Sequence, residues 1–326
     1  MENPVVALVG RSIEFAGVAD VAEDVPVVDV DGFLMPGVVD RHVHIAMSDP
    51  MAVLHGGVTG ARDLGWRPED IFPLADASEG PRFEGPLIRA VGPMLTCRDG
   101  YPARARWAPR GTALEVSGPE EAAGATRDVL ARSGTPVVKL ALNADAGPTL
   151  RDDELLAICD AAHEADAIVT AHVQGRGQVE RALGAGIDEL AHCPWSERLS
   201  DEVVEAMAER MRIVSTLDIL SFGRETPELR VATDNVNRFL SAGGRVAYGT
   251  DLGNGSIPPG IHVGEAWHLH RAGLSFEAVL EAMVFRPLEA GEPADLIALG
   301  ANPLEDLDAL ADVRLVVRGG RVMLQR

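Results

Sequence analysis

Short apolar stretches alternate with amphipathic segments through residues 37–288. Between residues 153 and 164, for example, Leu155, Leu156, Cys159 and Ala162 recur at helical spacing, which predicts a helix with one buried face. The same pattern predicts further helices, at residues 177–183, 202–211, 235–242, 265–271 and 276–284. Compact apolar runs predict strands between them, at residues 37–43, 137–140, 167–171, 189–191, 213–217 and 246–250.

Repeated strand–helix units predict a parallel sheet covered by helices. The segment that carries them has the usual size of an eightfold barrel. We therefore predict an α/β fold, a distorted TIM (β/α)8 barrel over residues 37–288. An open doubly wound sheet is the alternative, although no glycine-rich phosphate loop stands between a predicted strand and helix.

Both ends of the chain have a different pattern, in which short apolar runs are broken by Gly, Asp and Pro. These runs predict small strands, at residues 5–9, 25–30, 33–35, 295–299, 313–317 and 322–324. Neither end has enough apolar residues for a core of its own. We expect residues 1–36 and 289–326 to form one composite domain, a small β-sandwich.

Composition narrows the classes of partner. The 326 residues are 46% hydrophobic and 24% charged, which argues against long disorder, and the formal net charge is −21. Such a surface repels phosphate backbones and anionic lipids, so we expect a small-molecule or peptide substrate, no nucleic acid and no membrane. The sequence leaves open whether the chain forms a homo-oligomer.

Three unclustered cysteines, Cys97, Cys159 and Cys193, indicate a reducing compartment. The amino terminus lacks the basic and apolar regions of a signal peptide, and no apolar run approaches ~20 residues. We therefore expect a cytoplasmic protein.

Six polar residues lie in or just after five of the predicted strands. His42 and His44 are two residues apart, which directs both imidazoles to the same side of a strand. The others are Lys139, His172, His192 and Asp251. Because the carboxyl ends of parallel barrel strands share one rim, these side chains should converge there. Imidazole and carboxylate groups together suit zinc or a similar divalent ion. Each of these residues taken alone has an alternative reading, as a core, surface or capping residue.

Longer motifs around these residues resemble the amidohydrolase superfamily. Residues 36–44 (Pro-Gly-Val-Val-Asp-Arg-His-Val-His) resemble its Pro-Gly-x-x-Asp-x-His-x-His signature, and residues 55–63 resemble its second-strand element, which ends in Arg-Asp. Residues 170–172, 189–192 and 248–251 resemble the elements that end the fifth, sixth and eighth strands. Residues 291–296 resemble the segment that returns to the small β-domain.

The branch with a lysine at strand four, which includes imidazolonepropionase and prolidases, is the most similar. This resemblance implies two divalent metal ions, zinc above all, and a CO2-derived carbamate on Lys139 that bridges them. It assigns His42, His44 and Asp251 to the first ion and His172 and His192 to the second. The chain departs from the pattern in the ten residues between His44 and His55 and in the stretch between Phe285 and Ala294, both of which are short.

The function implied is hydrolysis of an amide C–N bond, in a peptide or cyclic amide, by a metal-bridging hydroxide. Asp251 would be the general base. One candidate substrate is a modified peptide natural product, which the enzyme would cleave as one of its tailoring steps. A lactonase or esterase on the same site is the first alternative, and a mononuclear deaminase, against which Lys139 counts, is the second. A binding protein that has lost catalysis is the third.

Substrate contacts should come from loops on the same rim. The segment after the third strand offers Tyr101, Arg104, Arg106 and Trp107, of which the two arginines could receive a carboxylate or a peptide terminus. An exposed loop without a binding role is the alternative reading of this segment. His55 and His262 are weaker candidates.

Overall fold

The computed structural model describes residues 4–20 and 24–326 of the chain. Within these ranges the strands are β1 Val5–Val9, β2 Ser12–Gly17, β3 Phe33–Pro36, β4 Val38–Val43, β5 Val58–Asp63, β6 Leu87–Ala90, β7 Met94–Cys97, β8 Ala113–Val116, β9 Val137–Asn143, β10 Ile168–Gln174, β11 Glu189–Leu190, β12 Arg212–Val214, β13 Arg245–Ala247, β14 Leu296–Leu299, β15 Val313–Arg318 and β16 Arg321–Gln325. The helices are α1 Pro50–His55, α2 Pro68–Ser78, α3 Pro119–Ser133, α4 Asp152–His163, α5 Gln178–Ala185, α6 Asp201–Arg210, α7 Pro227–Ser241, α8 Val263–Arg271 and α9 Phe276–Met283.

Parallel strands form the body of the molecule. In the described part of the chain, one sheet has the order β13-β12-β11-β10-β9-β7-β8 and a second has the order β4-β5-β6. The two sheets meet where the backbone N–H of Asp251 donates to the carbonyl of His42 (2.8 Å) and that of His44 donates to the carbonyl of Leu252 (2.7 Å). This arrangement is a TIM-like barrel, in which β6 and β7 together occupy the third strand position.

Helices cover the barrel through regularly spaced apolar residues. Helix α7 buries Leu229, Ala232, Val236 and Phe239, a spacing of three and four residues that keeps one face on the sheet. It begins at Pro227, eight residues before the predicted start, because the Thr226 side chain accepts a hydrogen bond from the Leu229 N–H and caps the helix. No helix in the described ranges combines the length and apolar character that crossing a membrane requires.

Two central strands are longer than predicted. Strands β9 and β10 pair continuously from Val137↔Ile168 to Asn143↔Gln174. Lys139 lies inside its strand, as predicted, and His172 also lies inside its strand and not just past the end of it. The opposite holds for β12 and β13, which end three residues before the predicted ends because the chain turns out of the sheet there.

Both chain ends contribute to one antiparallel sheet of the order β16-β15-β14-β3. The β1–β2 hairpin joins it near Pro293, where the Ile13 N–H donates to the carbonyl of Glu292. The predicted strand at residues 25–30 is wrong for the described residues 24–30, which form no strand; Pro26 cannot donate to a sheet, and Val27 is 61% exposed. The composite β-sandwich with bounds 1–36 and 289–326 stays a prediction, and residues 1–3 and 21–23 of it lie outside the described ranges.

Candidate metal centre

All six residues singled out in the sequence line one cavity of about 280 Å³ at the carboxyl ends of the barrel strands. His42 lies in β4, and His44 follows the end of that strand. The other four are Lys139 in β9, His172 in β10, His192 after β11 and Asp251 after β13. Each of them is buried. The barrel thus brings together side chains separated by more than 200 residues of sequence.

Three of these side chains form a compact group of potential ligand atoms. One ligand atom from each of His42, His192 and Asp251 lies within 4.8 Å of the others. Asp251 Oδ1 is 3.2 Å from His42 Nε2 and 3.3 Å from His44 Nε2. The ring of His172 extends the group, because its centroid lies 4.8 Å from that of His192.

Hydrogen bonds behind the rings fix their orientation. Nδ1 of His42 is 2.7 Å from the carbonyl of Ala191, and Nδ1 of His44 is 3.0 Å from the carbonyl of Gly65. A carbonyl can only accept, so both Nδ1 atoms carry the proton, and a neutral ring then directs its Nε2 lone pair at the cavity. His172 differs, since its Nε2 is 3.1 Å from Asn143 Nδ2.

Burial keeps most of these imidazoles neutral. It holds the pKa values of His42 and His172 well below the ordinary range and lowers the pKa of His192 to about 3. At His44 burial also opposes protonation, but the Asp251 carboxylate beside its Nε2 outweighs burial and raises the pKa. Burial alone would raise the pKa of the Asp251 carboxyl, but His42, His44 and His192 hold it well below its usual range. Neutral rings and a carboxylate form a set of donors ready for a cation.

Lys139 has the least satisfied side chain of the cavity. Among the described residues, its Nζ is fully buried and has no hydrogen-bond partner, and Asp251 Oδ1 accepts no well-aligned hydrogen bond either. Burial lowers the pKa of Lys139 to about 7. Lys139 is also the only lysine in the sequence, a signal that points to a special role. A buried polar atom without a hydrogen-bond partner destabilises the folded protein unless a bound ion or ligand pairs with it. The two unpaired atoms of this cavity therefore fit a site for divalent cations.

A second layer of residues, to which the sequence analysis gave no role, supports the cavity. Thr216 Oγ1 lies 2.8 Å from His192 Nδ1, and Thr216 adopts a left-handed backbone with φ 52°. Glu265 accepts hydrogen bonds from the N–H groups of Leu217 and Asp218, both at 2.8 Å, and so anchors the turn that follows. Asp40 accepts hydrogen bonds from the His42 N–H and from the Thr250 side chain. Asp40 stood in a recognised motif, whereas nothing in the sequence marks Thr216 or Glu265.

One of the predicted substrate contacts lines the cavity, and a second packs against residues that line it. Tyr101 lines it and stacks on His172, with ring centroids 4.8 Å apart. Trp107 donates a hydrogen bond from Nε1 to the Tyr101 hydroxyl (3.2 Å), and its ring is 5.0 Å from that of His44. These two aromatic residues cover one side of the histidine cluster.

The other four candidates lie elsewhere, which corrects the prediction for them. Arg104 is exposed and pairs with Asp99 at 2.6 Å, and Arg106 is exposed outside the cavity lining. His55 ends α1 just before β5 begins, on the side of the barrel where the strands start. His262 lies behind the cavity wall, where its Nε2 is 2.8 Å from Asp218 Oδ2. The side chains of Arg104 and Arg106 remain in solvent, where Arg104 pairs with a carboxylate. Helix α1 ends at the side of the barrel opposite the rim, so His55 lies away from the cavity.

Comparison with known proteins gives a consistent picture. The sequence model of the amidohydrolase family matches residues 33–283. Ochratoxinase of Aspergillus niger is 28% identical over 289 residues, which cover 76% of this chain, so the chain matches only 57% of the length of that relative. An uncharacterised protein of Mycobacterium tuberculosis is 29% identical over 337 residues, covering 89% of this chain and 85% of that protein.

Solved structures show the same fold. A Xaa-Pro dipeptidase with bound methionine superposes with a TM-score of 0.80 at 20% identity, covering 97% of this chain and 94% of that chain. The structure of A. niger ochratoxinase gives a TM-score of 0.78 at 22% identity and covers 100% of this chain and 92% of that chain.

Proposed function

Given that this chain belongs to the amidohydrolase family, we propose that it hydrolyses an amide C–N bond of a peptide or cyclic amide with the help of two divalent metal ions. The observation that carries the proposal is the pair of orphaned atoms in the cavity, Lys139 Nζ and Asp251 Oδ1, among four imidazoles. A neutral amine and lone pairs directed inward suit cations far better than they suit an empty site.

His42, His44 and Asp251 would hold the first ion, and His172 and His192 the second. Lys139, as a carbamate, would bind both. Its pKa of about 7 supports this role, because only a neutral amine reacts with carbon dioxide and an ordinary lysine is almost wholly protonated at pH 7. The mixture of imidazole and carboxylate favours zinc.

When bound, the metal ions would polarise the substrate carbonyl and make water a stronger acid. The protein's own residues would then manage protons and position. Asp251 Oδ1, buried at the centre of the cavity, would take a proton from water and pass it to the leaving nitrogen. The Tyr101 hydroxyl would donate a hydrogen bond to the substrate, because burial raises its pKa to about 12 and keeps it protonated, while Trp107 fixes its position.

The named relatives support an amide as substrate. One is called a Xaa-Pro dipeptidase, a name that states cleavage of a peptide bond, and it covers nearly the whole chain at a TM-score of 0.80. A role in tailoring of a modified peptide natural product, the cytoplasmic location and the oligomeric state stay predictions.

A substrate panel tests the proposal. The purified chain, loaded with zinc and assayed for metal content, is offered N-acyl amino acids, dipeptides, cyclic amides and lactones. We expect two metal ions per chain and turnover of amides. The matched control is Asp251→Asn, which should retain metal and lose turnover. Preferential turnover of lactones, or no amide hydrolysis by a chain that holds both ions, would refute the proposed function.

A further inference from the structure

The cavity lining in the described chain contains no arginine, its only lysine is Lys139, and its four histidines are the candidate metal ligands. The six residues outside the described ranges contain no arginine or lysine, so they cannot supply one. Arg104, the arginine expected to receive a carboxylate, is instead exposed and paired with Asp99. Nothing in this cavity therefore offers a cation to a carboxylate of the substrate, apart from the metal centre itself.

Negative charge lies close to the same wall. Gln174 lines the cavity, and its Nε2 donates to Asp145 Oδ2 at 3.2 Å. Its Oε1 accepts from Asn143 Nδ2 at 2.9 Å, so both ends of this amide are already bonded to protein side chains, one of them the exposed Asp145. A substrate carboxylate placed here would lose its hydration, and it would lie near the negative charge of Asp145 instead of a cation.

Most of the rest of the wall is apolar and aromatic. It is formed by Met94, Trp195, Ile219, Leu220 and Phe222, beside the polar side chain of Asn254 and the backbone of Gly255. The Trp195 ring lies 5.7 Å from that of His192 and 6.2 Å from that of His172, so an apolar group held by Trp195 would stand beside the metal ligands. A wall of this kind favours apolar substrate groups, because they bury apolar surface against it.

Phe222 is the most unusual residue of this wall. It is 45% exposed although it is a large apolar side chain, and its backbone is left-handed with φ 46°. The ring packs on the backbone of Gly255, where an added Cβ would come within 2.5 Å of it. An exposed aromatic ring on a strained backbone at a cavity mouth is typical of a substrate contact.

We infer that the substrate is an uncharged amide with an aromatic group, which contacts Phe222 and Trp195, and that the site disfavours substrates that carry a free carboxylate next to the scissile bond. This inference rests on the proposed amide hydrolysis and adds its substrate class.

A matched pair of compounds tests it with the zinc-loaded chain. N-acetylphenethylamine and N-acetyl-L-phenylalanine differ only by the carboxylate. We expect kcat/KM to be at least ~10-fold higher for the uncharged compound, because the carboxylate finds no cation to replace its hydration. Arg104→Ala and Arg106→Ala should leave this ratio unchanged.

The role of Phe222 is tested with Phe222→Ala. It should lower kcat/KM for N-acetylphenethylamine about 10-fold, chiefly through KM, because the burial of one aromatic ring is lost. For the aliphatic N-acetylbutylamine the loss should be smaller. The control is Phe285→Ala, which removes a similarly exposed phenylalanine (66%) outside the cavity lining and should change neither substrate.

Each failure has a different meaning. Faster cleavage of N-acetyl-L-phenylalanine, or a preference that changes in the arginine variants, would overturn the inference and leave the amide hydrolase standing. An unchanged Phe222→Ala variant would overturn the aromatic contact. If no amide at all is cleaved by the metal-loaded chain, the proposed function fails and the inference falls with it.

Discussion

Replacing Thr216 with valine removes the hydroxyl that faces His192 while it preserves the shape and branching of the side chain. In the structure Thr216 Oγ1 lies 2.8 Å from His192 Nδ1, and both residues are buried. A metal ion on Nε2 obliges the imidazole to carry its proton on Nδ1. The Nδ1–H then needs an acceptor, and in the Thr216→Val variant it has none.

The cost falls mainly on the metal-bound state. Without a metal, the neutral His192 ring can move its proton to Nε2 and leave Nδ1 unprotonated. A buried donor without a partner costs about 1–3 kcal/mol, and loss of a partner behind a metal ligand typically lowers metal affinity ~10–100-fold. We therefore expect a loss of this size in zinc affinity, measured by competition with a chelator, and a smaller change in the thermal stability of the metal-free protein.

Thr216→Ser is the matched control. Serine retains the hydroxyl and relieves the strain of a β-branched side chain at φ 52°, whereas valine retains the strain. Serine should bind zinc as the wild type does. Equal zinc affinity of the valine variant and the wild type, or an equal loss in both variants, would show that the hydrogen bond does not position His192.

Two further predictions concern Lys139 and Asp251. Because Lys139 is the only lysine, 13C-labelled bicarbonate should give one side-chain carbamate signal in NMR, absent from Lys139→Met. With a pKa of about 7 the neutral amine falls from half of the molecules at pH 7 to about 1% at pH 5. Uptake by the metal-free protein should thus fall as the pH drops through 7, and a midpoint near that of ordinary lysine would contradict the role of burial. Asp251→Asn should lower kcat by ~10²–10⁴-fold with metal retained, and near-normal turnover would exclude Asp251 as the general base.

Local pattern was sufficient to predict the barrel from six of its strands and to group the candidate ligands, whereas the strand at residues 58–63 was indicated only by motif resemblance. Strand–helix alternation is written in the spacing of apolar residues, because each element buries one face on a common sheet. Once the strands are parallel, geometry brings residues from their carboxyl ends to a single rim, whatever their distance in sequence. His42, His172 and Asp251 could therefore be grouped although their strands are far apart along the chain.

The sequence by itself determined the types of the candidate ligands, the lysine in an apolar strand and the barrel that gathers them. Only the tertiary structure decided how they are held and what surrounds them. The Thr216–His192 contact joins residues 24 positions apart, and Glu265 reaches back 48 positions to Leu217. The position of Arg104 outside the cavity and the exposure of the Phe222 ring likewise depend on the paths of loops. Such contacts are set by how separate loops pack against each other, and no periodicity along the chain encodes them.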